Sequence, residues 1–208
     1  MDMRKTLLFA IISIIIIAII AGFAYFYRQN SQDKNLPLPA AGNDMATGSL
    51  EGDGTDNHPY VGEDFTFIPP AGWIQANLPG VLVAYQNMQE TQPQGSAADK
   101  INFKSYFAMS FDNANGRQID QIAELVKQQT KSVAPTVSFV SETDGQVDNQ
   151  PAKFIEADVL MQDVNFKVLL LIILKGDKYY VLSGNTTAEK WPDYRDVFLN
   201  VAKSLEFK

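Results

Sequence analysis

The stretch that decides the fold is residues 153–184, which read KFIEADVLMQDVNFKVLLLIILKGDKYYVLSG. Apolar and polar residues alternate on either side of Gln162 and Asp163, the pattern of two strands that each bury one face. A tight turn at these two residues brings the two apolar sets opposite each other. One set is Ile155, Ala157, Val159 and Met161, and the other is Val164, Phe166, Val168 and Leu170. This agreement fixes the register, since a slip of one residue would turn one apolar face outward.

The second strand of this hairpin continues into a run without polar residues. Residues 168–174 are apolar at every position, so the strand has no face for solvent. A strand buried on both faces lies inside a sheet that is covered by layers above and below. The run is far too short for a membrane span, which takes ~20 residues. Gly176 and Asp177 then turn the chain into Tyr179–Leu182, which predicts a meander of three strands.

Two amphipathic helices are predicted outside the meander. In residues 119–133 apolar residues recur at helical spacing, and Pro135 ends this helix. The second helix closes the chain, with Pro192 in its first turn and a capping-box spacing between Thr186 and Glu189. Its buried stripe is formed by Trp191, Tyr194, Phe198, Val201 and Leu205.

Shorter strands are predicted before the meander, at Phe65–Ile68, Val81–Tyr85, Phe103–Phe111 and Val137–Val140. The pair Asp144-Gly145 has the composition of a hairpin turn. Strands joined by tight turns, with the two helices outside the meander, predict an α+β fold, an antiparallel β-sheet sandwiched between helices, over residues 60–208.

An apolar segment precedes this domain. Leu7 to Tyr27 contains no charge, and its length matches the ~20 residues that a transmembrane helix needs. We therefore expect a transmembrane anchor at residues 1–28, followed by a flexible, acidic linker at residues 29–59 that is rich in Pro and Gly. A cleaved signal peptide is the alternative, with small residues at Gly22 and Ala24, although the apolar run is longer than the usual core of ~7–15 residues.

Charge predicts the side of the membrane and limits the partners. The short basic N-terminus, with Arg4 and Lys5, favours the cytoplasm, so the domain is expected to face outside the cytoplasm from a single-pass anchor in the cell membrane. The chain carries a formal net charge of −7 and no basic stripe, which argues against nucleic acid as a partner. It has no cysteine, which excludes disulfides and thiolate chemistry.

Several segments resemble the PsbP-like superfamily. They are FTFIPPAGW at residues 65–73, NQPAKFIEAD at 149–158, KGDKYY at 175–180 and a closing helix that ends in SLEF at 204–207. The resemblance implies an antiparallel sheet between helices. Its members include the extrinsic photosystem II subunit, Ran-binding proteins and many exported bacterial proteins, and most are binding or assembly factors without catalysis. The matching positions are core and turn residues, so no functional residue is carried over.

Few residues qualify for catalysis or for binding a metal or cofactor, and we predict none of these sites. His58 is the only histidine and lies at the edge of the linker. Glu156 and Asp158 share one strand face at a spacing of about 7 Å, as paired acid–base carboxylates would. The register instead places Asp158 opposite Lys167 as a cross-strand ion pair. Lys203 and Ser204 are adjacent on a helix and point in different directions.

Two further features are candidates for binding. Trp73 and Trp191 either line a ligand pocket or close the ends of the core. Residues 88–100 are predicted to be an exposed loop without structure, either a binding loop or a disordered insertion. The loop has glutamines in it or beside it, at Gln86, Gln89, Gln92 and Gln94.

These observations favour a non-enzymatic, membrane-tethered binding or assembly module outside the cytoplasm, whose partner is another protein at the membrane surface. One alternative is a carrier of a small apolar ligand between sheet and helix. A weaker one is a hydrolase that uses the two carboxylates, Glu156 and Asp158.

Overall fold

The computed structural model describes residues 58–208. The anchor predicted at residues 1–28 and nearly all of the linker predicted at 29–59 lie outside these residues. Within residues 58–208, no helix is both long enough and apolar enough to cross a membrane.

The domain is an α+β fold with two antiparallel sheets. The strands are β1 (Tyr60–Val61), β2 (Phe65–Phe67), β3 (Ile74–Ala76), β4 (Val83–Gln86), β5 (Tyr106–Asn113), β6 (Ser138–Val147), β7 (Gln150–Met161), β8 (Val164–Lys175), β9 (Lys178–Thr187) and β10 (Glu206–Phe207). The large sheet has seven strands in the order β3-β4-β5-β9-β8-β7-β6, and the small one has the order β1-β2-β10. The helices are α1 (Ala97–Lys100), α2 (Ile119–Val133) and α3 (Trp191–Lys203), and a 3-10 turn at Ala188–Lys190 precedes α3.

The predicted meander is confirmed, with its register. Met161 pairs with Val164, and the pairing continues in step to Ile155 opposite Leu170. The turn residues Gln162 and Asp163 have φ of 51° and 61°, as a two-residue hairpin turn of type I′ requires. The strand that follows, β9, is longer than predicted and pairs along its whole length with β8.

Strand β8 is buried on both faces, as its sequence predicts. Leu170 and Ile172 belong to the core beneath α2, whereas Leu169 and Leu171 belong to the core beneath α3. All four side chains are at most 2% exposed. The two helices therefore cover opposite faces of one sheet, and β8 contributes side chains to the core on each face.

Helix α3 lies very close to the sheet at Gly184. A Cβ atom at this position would lie 2.4 Å from Cγ of Phe198 in α3, closer than two non-bonded carbon atoms can approach. Glycine is needed here so that the aromatic ring can rest directly on the β9 backbone.

The small sheet closes the domain and joins its two ends. Strand β2 pairs with β1 on one side and with the C-terminal strand β10 on the other. Asp64, just before β2, accepts hydrogen bonds from Lys178 Nζ (3.0 Å) and the Tyr180 hydroxyl (2.9 Å) in β9. These bonds tie the small sheet to the large one. They also hold the pKa of the Asp64 carboxyl below its ordinary value, with the Lys178 hydrogen bond as the largest cause.

We expect the Asp64→Asn variant to lose part of the acid dependence of stability. Because the folded-state pKa is lowered, the Asp64 carboxylate stabilises the fold above its ordinary pKa, and this stabilisation is lost as the pH falls through the folded-state value. Asp64 is 40% exposed, so the loss at neutral pH should stay below about 1 kcal/mol. Urea unfolding at pH 7 and about pH 2.5 should show variant and wild type converging in acid. Asp163→Asn, in an exposed turn, is the control, and an unchanged acid slope in Asp64→Asn would contradict the assignment.

The hairpin predicted at Asp144-Gly145 is wrong. Both residues lie inside β6, and the turn falls at Asp148 and Asn149, whose φ values are 48° and 58°. Gly145 has another role, because a Cβ there would lie 2.7 Å from the ring of Phe154 in β7. An aromatic ring lying over a strand glycine explains this glycine without a turn.

Two predictions near the C-terminus are also wrong, and the short strands β1, β3 and β10 were missed. Thr186 lies inside β9 and is fully buried, and the residue before the 3-10 turn is Thr187, whose side chain makes no capping hydrogen bond. The closing helix ends at Lys203, and Glu206–Phe207 forms β10 rather than a helix end. Strand β3 was not predicted, because only Ala76 of its three side chains is even partly buried and three residues are too few for a strand pattern.

Candidate functional site

The carboxylate of Glu90 is buried among other polar side chains. We call the group of Glu90, Ser105, Thr186 and Lys190 the Glu90 cluster. Glu90 comes from the segment between β4 and α1, Ser105 from just before β5, Thr186 from β9 and Lys190 from the 3-10 turn. The cluster therefore joins four segments that are far apart in the sequence.

Hydrogen bonds hold the Glu90 carboxylate on both oxygens. Ser105 Oγ donates to Oε1 over 2.9 Å, and the backbone N–H of Ser105 donates to Oε2. The Ser105 and Thr186 hydroxyl oxygens lie 2.7 Å apart. Lys190 Nζ lies 3.4 Å from Oε1 and donates to the carbonyl of Thr91 over 2.7 Å. The buried charge thus has both an ionic partner and hydrogen-bond donors, as such a charge requires.

A tyrosine and an asparagine extend the cluster toward α3. Asn87 Nδ2 donates to the Tyr194 hydroxyl over 2.8 Å. Burial raises the pKa of Tyr194, and the nearby negative charge of Glu90 adds to the effect. Tyr194 therefore stays protonated near neutral pH and acts as a hydrogen-bonding group.

The Glu90 cluster holds a loop to the sheet, and its geometry does not fit chemistry on a substrate. A serine nucleophile needs a base that takes its proton and an open side for attack. Ser105 is 0% exposed and the Glu90 side chain 1% exposed, so neither group reaches a bound substrate. What the geometry provides is a fastening of residues 87–91 to the sheet and to the start of α3.

The carboxylates of Glu156 and Asp158 both lie in ion pairs. Asp158 stands opposite Lys167 and pairs with it, which confirms the predicted cross-strand contact. Glu156 pairs with Arg195 of α3 over 2.7 Å, a contact that the sequence did not reveal. Each carboxylate therefore has its own cation, and the two do not face each other across a substrate site.

The two tryptophans lie in the core beneath α3, and both are partly buried. The ring of Trp73 lies 6.0 Å from Phe107 and 5.8 Å from Tyr194, measured between centroids. Trp191 lies 6.4 Å from Phe198, the residue that rests on Gly184. Aromatic contacts occupy this side of the domain, and the close approach at Gly184 leaves no room for a ligand between β9 and α3 there.

The remaining residues that the sequence offered for catalysis do not form a common site. His58 is exposed at the start of the described residues. Ser204 Oγ accepts a hydrogen bond from the Ile68 N–H (3.0 Å) and donates to the Val201 carbonyl (2.8 Å), so it caps α3 and pairs with no lysine. Among residues 58–208, no group of three or more His, Cys, Asp or Glu side chains could hold a metal ion.

The prediction that residues 88–100 lack structure is wrong. Ala97–Lys100 form α1, with Ser96 accepting a hydrogen bond from the Asp99 N–H over 3.1 Å. Glu90 and Ala98 are buried, and Gln86 belongs to β4 with 5% exposure. Gln92 donates to the Phe103 carbonyl over 3.3 Å, whereas Gln89 and Gln94 are exposed. The segment is thus anchored in the core.

The Glu90 cluster was missed at the sequence level for a physical reason. A single glutamate in a glutamine-rich segment has the sequence pattern of an exposed loop residue, because acidic residues are almost never fully buried unless paired. Its partners come from three other segments. Because these residues are far apart in the sequence, no spacing between them indicates that they meet.

The fold defines the class of protein: an α+β domain with a helix on each face of one antiparallel sheet. Its buried carboxylate, Glu90, holds residues 87–91 to the sheet. The PsbP family model matches residues 55–207, and the chain belongs to this family.

Two solved structures share the fold. Cyanobacterial PsbP (CyanoP) from Synechocystis sp. PCC 6803 aligns with a TM-score of 0.57 and 17% identity, over 77% of this chain and 98% of that protein. LpqN, described as involved in cell envelope biogenesis of Mycobacterium tuberculosis, aligns with a TM-score of 0.55 and 9% identity, over 75% of this chain and 87% of that protein. At these identities the likeness extends to the fold alone. A comparison with curated protein sequences gives no significant match.

Proposed function

We propose that this protein is a non-enzymatic binding or assembly module, tethered to the cell membrane by its N-terminal apolar segment, with the domain outside the cytoplasm. The observation that carries the proposal is that the candidate carboxylates and the candidate serine are bound by other residues of the domain. Glu90, Glu156, Asp158 and Ser204 all have internal partners. Membership of the PsbP family supports the same conclusion, since most proteins of the superfamily are binding or assembly factors.

The tether rests on sequence. Leu7 to Tyr27 is uncharged and long enough to span the bilayer, and the linker that follows is polar and rich in Gly and Pro. LpqN, with the same fold, is described as involved in cell envelope biogenesis, which agrees with a place at the cell surface. The partner that fits is another protein at the membrane surface.

The tether and its orientation give a topology prediction. The full chain should leave the membrane only with detergent, because an apolar helix in the bilayer cannot be washed out by salt or carbonate. Protease added to spheroplasts should cut within residues 42–56 and release an intact domain. Immunoblots of the two fractions measure both results. Protection of the linker would overturn the outward orientation, and extraction by carbonate alone would overturn the anchor.

Binding itself is tested by capture of partners at the membrane. A photo-crosslinking amino acid at exposed positions of the domain, such as Leu160 and Asp163, should join the full-length protein to a partner in intact cells. Absence of a crosslinked protein from every surface position would refute the binding module. Activity of the purified domain toward an ester, peptide or glycoside library that is abolished by Glu156→Gln would establish the hydrolase alternative instead.

A further inference from the structure

The outer edge of the large sheet is long and open. Strand β6 is the last strand in the sheet order and pairs only with β7. Among the described residues, no backbone hydrogen bond from another segment reaches its outer side. Most of its side chains are exposed, including residues 140–144. A row of unpaired N–H and C=O groups is a template for an added strand.

The hairpin turn determines which backbone groups point outward. The two-residue turn at Asp148 and Asn149 makes Val147 and Gln150 a hydrogen-bonded pair. Backbone groups alternate along a strand, so those of Glu142, Asp144 and Gln146 point away from β7. The register shift between Phe139 and Ser141 interrupts the edge, which leaves residues 141–147 as its regular part.

The side chains beside this edge are acidic. Lys153 of β7 lies 2.6 Å from Asp144 and 3.5 Å from Glu142 of β6. It also pairs with Asp120 of α2 over 2.6 Å. Hydrogen bonds to Asp120 and then to Asp144 raise the pKa of Lys153, so its positive charge is retained.

A second lysine does not complete the neutralisation. Lys127 of α2 pairs with Glu142 over 2.7 Å and with Glu124. Two lysines therefore face four carboxylates, Asp120, Glu124, Glu142 and Asp144. The Asp144 side chain is 82% exposed. A net negative charge thus lies along the side of the edge that faces α2.

We propose that the outer edge of β6 takes up an extended, basic segment of a partner protein as an eighth strand of the sheet, an inference that rests on the proposed binding function. Main-chain hydrogen bonds to Glu142, Asp144 and Gln146 supply the attachment. Lys or Arg at alternate positions of the incoming strand stand opposite the carboxylates, where cross-strand charge pairs stabilise the sheet.

Charge argues against two other occupants. A second copy of this chain, paired antiparallel through the same edge, would place the acidic residues of one β6 against those of the other. The chain's own linker is acidic as well, since residues 29–57 contain Asp33, Asp44, Glu51, Asp53 and Asp56 and the single cation Lys34. A basic partner strand is the occupant that the edge attracts.

The probe is a capped seven-residue peptide with lysine at alternate positions and threonine or valine between them, matched to residues 141–147. It should bind the domain saturably and slow the amide exchange of Glu142, Asp144 and Gln146. The amides of Thr143 and Gly145 already point toward β7 and should change little. A peptide with glutamate in place of lysine should not bind. Absent binding, equal binding of both peptides, or protection elsewhere would overturn the proposal.

Charge reversal at the edge gives the matched variants. Asp144→Lys should weaken peptide binding by about tenfold, because the attraction between residue 144 and the peptide lysine opposite it becomes a repulsion. Lys153 retains Asp120 and Glu142 in this variant, and the melting temperature verifies the fold. Asp163→Lys makes the same charge change in a turn away from the β6 edge and should bind as the wild type does. Equal weakening in both variants would reduce the effect to net charge, and an equilibrium dimer through the edge would identify a second copy as occupant; both results overturn the proposal.

Crosslinking in cells separates this inference from the proposed function. A photo-crosslinking residue at position 144 should capture a partner peptide that is rich in Lys and Arg. If positions 160 or 163 capture a protein and position 144 captures none, the edge inference fails while the binding module stands. If no position captures a protein, the proposed function fails.

Discussion

Leu170→Ala should lower the free energy of unfolding by about 2–5 kcal/mol, which makes it one of the two most damaging substitutions that we predict. Leu170 is 2% exposed and packs in the core beneath α2. Truncation removes apolar contacts and leaves a cavity that the surrounding sheet cannot close, because its neighbours on β7 and β9 are fixed by hydrogen bonds. Urea denaturation followed by tryptophan fluorescence measures the change.

The control for Leu170→Ala is the same chemical change on the surface. Leu160, on the adjacent strand β7, is 51% exposed, so Leu160→Ala should change stability by less than about 0.5 kcal/mol. The isosteric Leu170→Met should cost less than about 1.5 kcal/mol, since it keeps the volume. A loss below about 1 kcal/mol for Leu170→Ala would contradict the central position of β8.

The β7-β8-β9 meander was predictable because its information is local. Each strand buries one or both faces, the two turns are short, and the alternation on both sides of Gln162 and Asp163 must agree. Helix α2 was predictable for a similar reason, since its apolar stripe repeats over 15 residues. In these elements the sequence pattern that buries the apolar side chains is also the pattern of the local strand or helix.

Elements that depend on distant contacts were not predictable in this way. Strand β10 exists because it pairs with β2, more than a hundred residues away, and two residues carry no periodicity. At Asp144-Gly145 a local turn signal was misleading, since this glycine accommodates the ring of Phe154. The turn formed at Asp148 and Asn149, where both residues tolerate positive φ.

The candidate site residues divide in the same way, into contacts set by a local hairpin and contacts set by distant segments. The Asp158–Lys167 pair follows from the hairpin register, whereas the Glu156–Arg195 pair depends on how α3 crosses the sheet. The Glu90 cluster depends on four segments at once, and its carboxylate lies in a stretch with no apolar pattern. Residues 88–100 therefore had the sequence pattern of a removable loop, although two of their side chains are core residues.

Glu90→Ala should cost about 3–5 kcal/mol, because it removes two hydrogen bonds from Ser105 to a buried charged group. The Ser105 N–H loses its acceptor in a place that water does not reach, since Ser105 is 0% exposed. Replacing residues 89–98 with a Gly-Ser turn should cost at least as much, because it removes Glu90 together with buried Ala98. Glu189→Ala, next to the cluster and exposed, is the control and should stay within about 0.5 kcal/mol.

A double-mutant cycle separates the charge from the hydrogen bonds. Glu90→Gln keeps an acceptor for Ser105 and removes the charge, whereas Lys190→Met removes the cation and keeps most of the stem. Lys190 is 25% exposed, so water screens its contact with Glu90, and the coupling energy should be below about 1 kcal/mol. Most of the Glu90→Ala loss then belongs to the hydrogen bonds with Ser105. A coupling energy above about 2 kcal/mol would instead make the ion pair the main attachment of this segment.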